Sequence, residues 1–269
     1  MRANAAPRRW HEVPVELYDA LSEAHDAYVS TDGLFDPRVL QSLEAWGYDT
    51  SLPFRSGPVT TTSTAATGVR AGRAPAVPGK RRWRPKFDLA KRAVRIGALP
   101  VDLGGIGKGL AVRWAADVLS GTGKAVLVEA GGDLNAEGAG PEGEGWLVGV
   151  EDPRGSETPM AVLRLTDQAC ATSSVRLRTW TVDGRKVNHI VDPRTGDPAE
   201  TGLLSVTVVG PDVARAEVWS KSLFLAGRGR VRQLADDHGI AALLIDTDGV
   251  VGLSAAMRPL VTWQADRGW

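Results

Sequence analysis

The second half of the chain is a succession of short apolar runs punctuated by turn residues, and that pattern limits the folds open to it. Six stretches have strand length and end at, or immediately before, Gly, Pro or Asp: KAVLVEA (124–130), GWLVGVEDP (145–153), MAVLRLTD (160–167), RTWTVDG (178–184), RKVNHIVD (185–192) and LLSVTVVGP (203–211). The first reads as a buried strand stopped by Gly131, Gly132 and Asp133. A helix, DVARAEVWSKSLFLAG (212–227), follows the last, with Asp212 as candidate N-cap and Gly227 just beyond its C-terminus. IAALLIDTDGVVGLS (240–254) closes as a hairpin around Asp248-Gly249. Strand runs interrupted by few helices predict an α+β fold rather than a regularly wound parallel sheet.

The first half is less regular. PVELYDALSEAHDAYV (14–29) places Val15, Leu17, Leu21, Ala24 and Tyr28 at helical spacing. STDGLFDP (30–37) ends that helix in a Gly turn, and a short helix follows near Val39–Trp46. From Ser51 to Pro85 the chain is rich in Thr, Gly, Ala, Pro and Arg without periodicity, and it reads as a flexible insert. AVRIGALPVDL (93–103) then reads as strand, and GGIGKGLAVRWAADVLSG (104–121) as a Gly turn into a helix. Ile106, Leu110, Trp114 and Val118 stand four apart, which predicts one apolar face.

Several function classes are excluded by composition. Lys and Arg number 32, as do Asp and Glu, so no net charge draws the chain to nucleic acid or an anionic membrane. One cysteine, Cys170, rules out an internal disulfide and agrees with a reducing cytoplasm. The opening MRANAAPRRW has positive charge but no apolar stretch behind it, and no apolar run spans a bilayer. The expectation is a soluble, cytoplasmic protein of one domain.

Chemistry concentrates in a few motifs. VDLGGIGKGLAV (101–112) carries glycines at 104, 105, 107 and 109, which let backbone approach a ligand where helix N-terminal amides favour an anion. Lys108 sits in the first helical turn, where its charge opposes the helix dipole unless an anion joins it. The same glycines also suit tight strand–helix packing with Lys108 merely solvated, and the spacing is neither a Walker A loop nor a dinucleotide fingerprint. VEAGGDLNAEG (128–138) is as readily a turn as a ligand wall. His189 ends a strand before the rigid turn DPRTG (192–196), a placement suited to a general base and equally to a structural histidine. CATSS (170–174) offers hydroxyls, while DTDG (246–249) lacks the rest of a calcium loop. Glu217 and Lys221 stand one helical turn apart. As an exposed pair they are worth roughly 0.3–0.5 kcal/mol; otherwise Glu217 offers a carboxylate to a metal or phosphate.

In order, TDGLFDPRV, VDLGGIGKGLAV, VEAGGDLNAEG, CATSS, NHIVDPRTGDP and SVTVVGPDVARAEVWSKSLFLAG resemble the FAD:protein FMN transferases, the ApbE-type flavin transferases. The resemblance covers nearly all of the chain outside 51–85. It implies an ApbE-like mixed or antiparallel sheet with packed helices, shortened at the N-terminus. It also implies an enzyme that cleaves FAD and attaches FMN by a phosphoester to a Thr or Ser of an acceptor protein, releasing AMP, usually with Mg²⁺. By residue-wise matching, His189 is the catalytic base. Leu34, Phe35, Asp36, Asp102, Lys108 and Val191 contact FAD. Metal oxygens come from the Gly105 carbonyl, the Glu217 side chain and the Ser220 carbonyl.

The chain departs from that pattern at Lys221, which stands where the family has a metal-ligating Thr. A charged Lys has three donors and no acceptor, so it cannot coordinate Mg²⁺. Glu217 is one methylene longer than the usual Asp, and TSS and NHI replace TSG and SHI. These departures leave two alternatives beside transfer: an FAD pyrophosphatase yielding FMN and AMP, and a degenerate FAD-binding paralogue.

Overall fold

A computed structural model of the chain describes residues 1–48, 60–61, 82–123 and 125–265. Apart from 60–61 and 82–85, the insert expected at 51–85 lies outside them. In chain order the elements are α1 (Arg2–Ala5), β1 (His11–Glu12), α2 (Val15–Ser30), α3 (Leu40–Ala45), β2 (Thr60–Thr61), β3 (Lys86–Asp88), β4 (Ala93–Arg95) and α4 (Gly107–Ser120). Then come β5 (Val126–Ala130), β6 (Asp133–Glu137), β7 (Trp146–Val150), β8 (Ala161–Leu165), β9 (Gln168–Ser174), β10 (Thr179–Val182) and β11 (Arg185–Asn188). The chain finishes with β12 (Leu203–Gly210), α5 (Val213–Ala226), α6 (Val231–Asp237), β13 (Ala241–Asp246), β14 (Val251–Leu253) and β15 (Val261–Gln264). Among the described residues no helix is long and apolar enough to cross a membrane.

Two compact units divide the chain, each drawn from two segments. Residues 1–105 with 177–199 form the first, and residues 106–176 with 200–269 the second. The second is built on a six-stranded sheet of order β14-β13-β12-β9-β6-β5, antiparallel at every pairing. One face packs on the antiparallel sheet β15-β8-β7, where Leu134, Cys170, Val209, Leu243 and Ile245 meet Val150, Leu163 and Leu165. The other face carries the helices: α5 lies on β9 and β12, and α4 on β5 and β6. Because successive strand residues face opposite ways, strands covered on both faces lose polar alternation, and all six residues of β13 are buried.

The first unit contains two three-stranded sheets, β1-β4-β3 and β11-β10-β2, the latter with β10 and β2 parallel. Ala20, Leu21, Ala24 and Ala27 form the buried face of α2, while Val15 is 46% exposed. Trp83, at the end of the expected insert, is a core residue whose indole donates to the Ile96 carbonyl at 2.7 Å. A separate cluster joins Trp46 to Trp180, Val182 and Val187.

Several expectations are corrected. KAVLVEA is an edge strand, partly exposed along its length, because among the described residues β5 has a neighbour only in β6. The strand expected over 93–103 stops at Arg95: Gly97 has φ +117, and Pro100 has no N–H to give a ladder. In α4, Ile106 and Leu110 are buried but Trp114 is 37% and Val118 81% exposed. Steps of four residues advance about 40° beyond a full turn, so the stripe leaves the core, and Gly109, Val112 and Ala116 take its place. The central strand β9, the short helix α6 and the last strand β15 were not foreseen.

Candidate active site

Two glycines set up the charged centre of the second unit. Gly131 and Gly132 have φ +63 and +91, the type I′ signature, and they join β5 to β6 as a two-residue hairpin. Asp133 therefore begins β6, fully buried, with its carboxylate beneath the first turn of α4. One oxygen accepts a close hydrogen bond from Lys108 Nζ, and the other accepts from the Thr172 amide of β9 at 3.3 Å. Lys108 is 31% exposed, so its ammonium remains within reach of a ligand while its anchor does not.

Glu217 enters from α5. Added to Gly109, a Cβ would sit 2.5 Å from Ala214 Cα and 2.8 Å from the Val213 carbonyl, so only glycine lets α4 and α5 come this close. That approach brings the Gly109 amide within 2.9 Å of Glu217 Oε2. Among the described residues Glu217 Oε1 is buried with no hydrogen-bond partner, and Lys221 Nζ and Lys108 Nζ lie 3.8 and 3.9 Å from it. Burial pushes the Glu217 carboxyl above the usual range and the Asp133 charge adds to this; Lys221, Lys108 and the Gly109 amide pull the other way. Glu217 is only 2% exposed, so the pair with Lys221 is not the solvent-exposed one that helical spacing alone suggested. Beneath it, fully buried Ser220 donates to the Glu217 carbonyl at 2.9 Å and shares a 2.8 Å hydrogen bond with Ser173.

A Mg²⁺-type ion needs about six oxygen donors at roughly 2.0–2.1 Å. The Ser220 hydroxyl is already engaged, and its carbonyl lies mid-helix in the ladder of α5. Both Asp133 oxygens and one Glu217 oxygen accept hydrogen bonds, and the remaining oxygen faces two ammoniums. Among the described residues no three His, Cys, Asp or Glu side chains converge as ligands. With one carboxylate oxygen left over and the charged Lys221 and Lys108 within 4 Å of it, this donor set does not fit a divalent ion while Lys221 carries its charge.

The remaining candidate residues lie in the first unit. His189 follows β11, half-buried, its amide donating to the Arg178 carbonyl at 3.3 Å. Asn188 holds the chain on either side of it: its side-chain oxygen accepts from the Ile190 amide at 2.9 Å and its nitrogen donates to the Ala199 carbonyl at 3.0 Å. Val191 is buried and bridges Pro198. Asp192 and Arg194 bind one another at 2.7 Å and brace the turn. Trp46 fastens the same turn through its indole, which donates to the Gly196 carbonyl at 3.0 Å.

Leu34, Phe35 and Asp36 follow the α2 terminus. Asp36 caps the turn Pro37–Val39 and is gripped by the Arg38 guanidinium, so its carboxylate is committed locally. The Asp102 amide donates to the Pro37 carbonyl at 2.6 Å, which brings Asp102 and that turn together, and Asp102 Oδ2 accepts from Gly104. Gly105 is the last residue of this segment. The second unit gathers Lys108, Glu217 and Ser220, while the first gathers Asp36 with Asp102 and His189 with Val191. Asp133 was missed as a site residue; its only signal was a carboxylate after Gly-Gly, which a turn explains equally well.

Comparison with known proteins gives these arrangements a context. The ApbE family matches residues 1–244. The FAD:protein FMN transferase of Escherichia coli K12 is 32% identical over 153 residues, which is 56% of this chain and 44% of that protein. That of Salmonella typhimurium is 28% identical over 238 residues, covering 87% of this chain and 65% of that protein. The chain thus spans about half to two thirds of these relatives. Among solved structures, the ApbE protein of Thermotoga maritima MSB8 is similar with a TM-score of 0.80 at 30% identity, over 96% of this chain and 82% of that one. The flavinyl transferase ApbE of Pseudomonas stutzeri, in its apo form, has a TM-score of 0.76 at 26% identity, over 98% and 81%.

Proposed function

The chain belongs to the ApbE family, and on that premise we propose that it transfers the FMN moiety of FAD to a Thr or Ser hydroxyl of an acceptor protein. Relatives named FAD:protein FMN transferase support the reaction class. The observation that carries the reading is Lys108, anchored by buried Asp133 in the first turn of α4. First-turn amides of a helix have no intrahelical partner, and the helix's positive end attracts anions. A lysine tethered there, its charge balanced by Asp133 and its side chain 31% exposed, offers ammonium hydrogen bonds to the pyrophosphate of FAD.

In the proposed reaction the acceptor hydroxyl oxygen attacks the phosphorus of the FMN half. The bond from that phosphorus to the bridging oxygen breaks, and AMP leaves with that oxygen. His189 takes the hydroxyl proton, a role typically worth about 10²–10⁴-fold in rate. Lys108 neutralises charge developing on the phosphoryl oxygens. Leu34, Phe35, Asp102 and Val191 are assigned to the nucleotide, with Asp36 shaping the turn that presents them. No step runs through a metal ion, because the residues around Glu217 do not fit one.

Incubation of the full chain with FAD and an acceptor domain bearing a modifiable Thr tests this by intact mass and chromatography. The expected result is an acceptor heavier by FMN with AMP released. His189→Ala should lower transfer by roughly 10²–10⁴-fold while leaving FAD affinity unchanged. Free FMN and AMP beside an unmodified acceptor would replace transfer with hydrolysis, and intact FAD would overturn both.

A further inference from the structure

We propose that the ammonium of Lys221 keeps divalent cations away from the Glu217 carboxylate, whose charge cluster is neutralised internally instead. Three of the four carboxylate oxygens in the cluster already accept hydrogen bonds, from Lys108, the Thr172 amide and the Gly109 amide. Only Glu217 Oε1 remains to bind a cation. An ion coordinated there would lie beside two ammoniums, each within 4 Å of that oxygen, where Glu217 is 2% exposed and little water screens the repulsion.

The two lysines are not equivalent. Lys108 is committed to Asp133, an anchor on a different element. Among the described residues Lys221 pairs with Glu217 alone, one turn along the same helix, with its side chain only 19% exposed. Two ammoniums balance two carboxylates while Lys221 is charged. Without that charge the cluster carries an excess negative charge and a carboxylate oxygen that accepts no hydrogen bond, the condition under which a hard cation binds. This inference rests on the proposed function, but its test contains neither flavin nor acceptor. Failure of one therefore leaves the other standing.

The experiment is a Mn²⁺ titration of the chelator-treated full chain, read by the EPR signal of free Mn²⁺, on wild type, Lys221→Thr and Lys221→Gln. A thermal melt of each variant confirms folding, and the glutamine variant serves if the threonine one does not fold. Wild type is expected to leave the ion free. Either neutral variant should bind one equivalent at least about tenfold more tightly than wild type, and a further Glu217→Gln substitution should abolish that binding. Stoichiometric binding by wild type that Glu217→Gln removes would overturn the proposal. Absence of binding by a folded neutral variant would overturn it too, because Lys221 would then not be what excludes the ion.

Discussion

Glu217 carries its protonation into the stability of the whole second unit. Its folded pKa is raised, chiefly by burial, above an unfolded value of about 4.3. The stability this group contributes is therefore fully present below that unfolded value and lost as pH rises through the folded one. Urea melts of wild type and Glu217→Gln across this window should show wild type losing stability relative to the variant as pH increases, then levelling off; a constant difference would contradict the assignment. Cys170 has the same sign at higher pH. Burial, with the Asp133 charge adding to it, pushes its thiol up to about 12. It should stay unmodified by iodoacetamide at pH 8 in the native protein and react fully in concentrated guanidinium. At this scale the sequence exposed the charged residues but not their depth. Glu217 and Lys221 look like a surface pair because spacing alone does not show that α4 packs against Glu217.

Between α4 and α5 a single hydrogen atom decides the spacing. In Gly109→Ala the new methyl would meet backbone atoms of Ala214 and Val213, which cannot swing aside as a side chain would. Overpacking of this kind costs about 1–3 kcal/mol, more than the gain of up to about 1 kcal/mol from the better helix propensity of alanine. Gly107, two residues earlier, has nothing within 4 Å of the same position. Gly107→Ala should thus hold or slightly raise the melting temperature while Gly109→Ala lowers it, and equal shifts would deny the close contact. Legibility at this scale follows turn chemistry. Strands β7, β8, β10, β11 and β12 were readable because Gly, Pro and Asp bound them. Strand β9, QACATSS, was hidden: it lies between β6 and β12, several of its buried residues are small, and no apolar–polar alternation marks it. The glycines of 104–109 were legible as close-approach residues, but at Gly109 the partner is a helix that begins more than a hundred residues later.

Across the whole chain, contacts of long sequence separation hold the histidine loop. The Trp180 indole donates to the Trp46 carbonyl across 134 residues, and the Trp46 indole to the Gly196 carbonyl across 150. The first unit is thus complete only when 177–199 returns to 1–105, and nothing in local periodicity announces such a pairing. Because loop-closure entropy precedes any reward from such contacts, they belong to the slow part of folding. Trp46→Phe tests how much they hold. The phenyl ring keeps most of the packing against Trp180, Val182 and Val187 but loses the donor to Gly196. An unmade hydrogen bond to a buried carbonyl costs about 1–3 kcal/mol, and each 1.4 kcal/mol is a factor of ten in an opening equilibrium. Amides of residues 189–199 should therefore exchange roughly ten- to a hundredfold faster in Trp46→Phe, while those of β3 and β4 in the same unit keep their rates. Unchanged exchange in the loop would mean that Asn188 and the Asp192–Arg194 brace hold His189 without the tryptophan. Equal acceleration in β3 and β4 would mean that Trp46 stabilises the first unit generally rather than this loop.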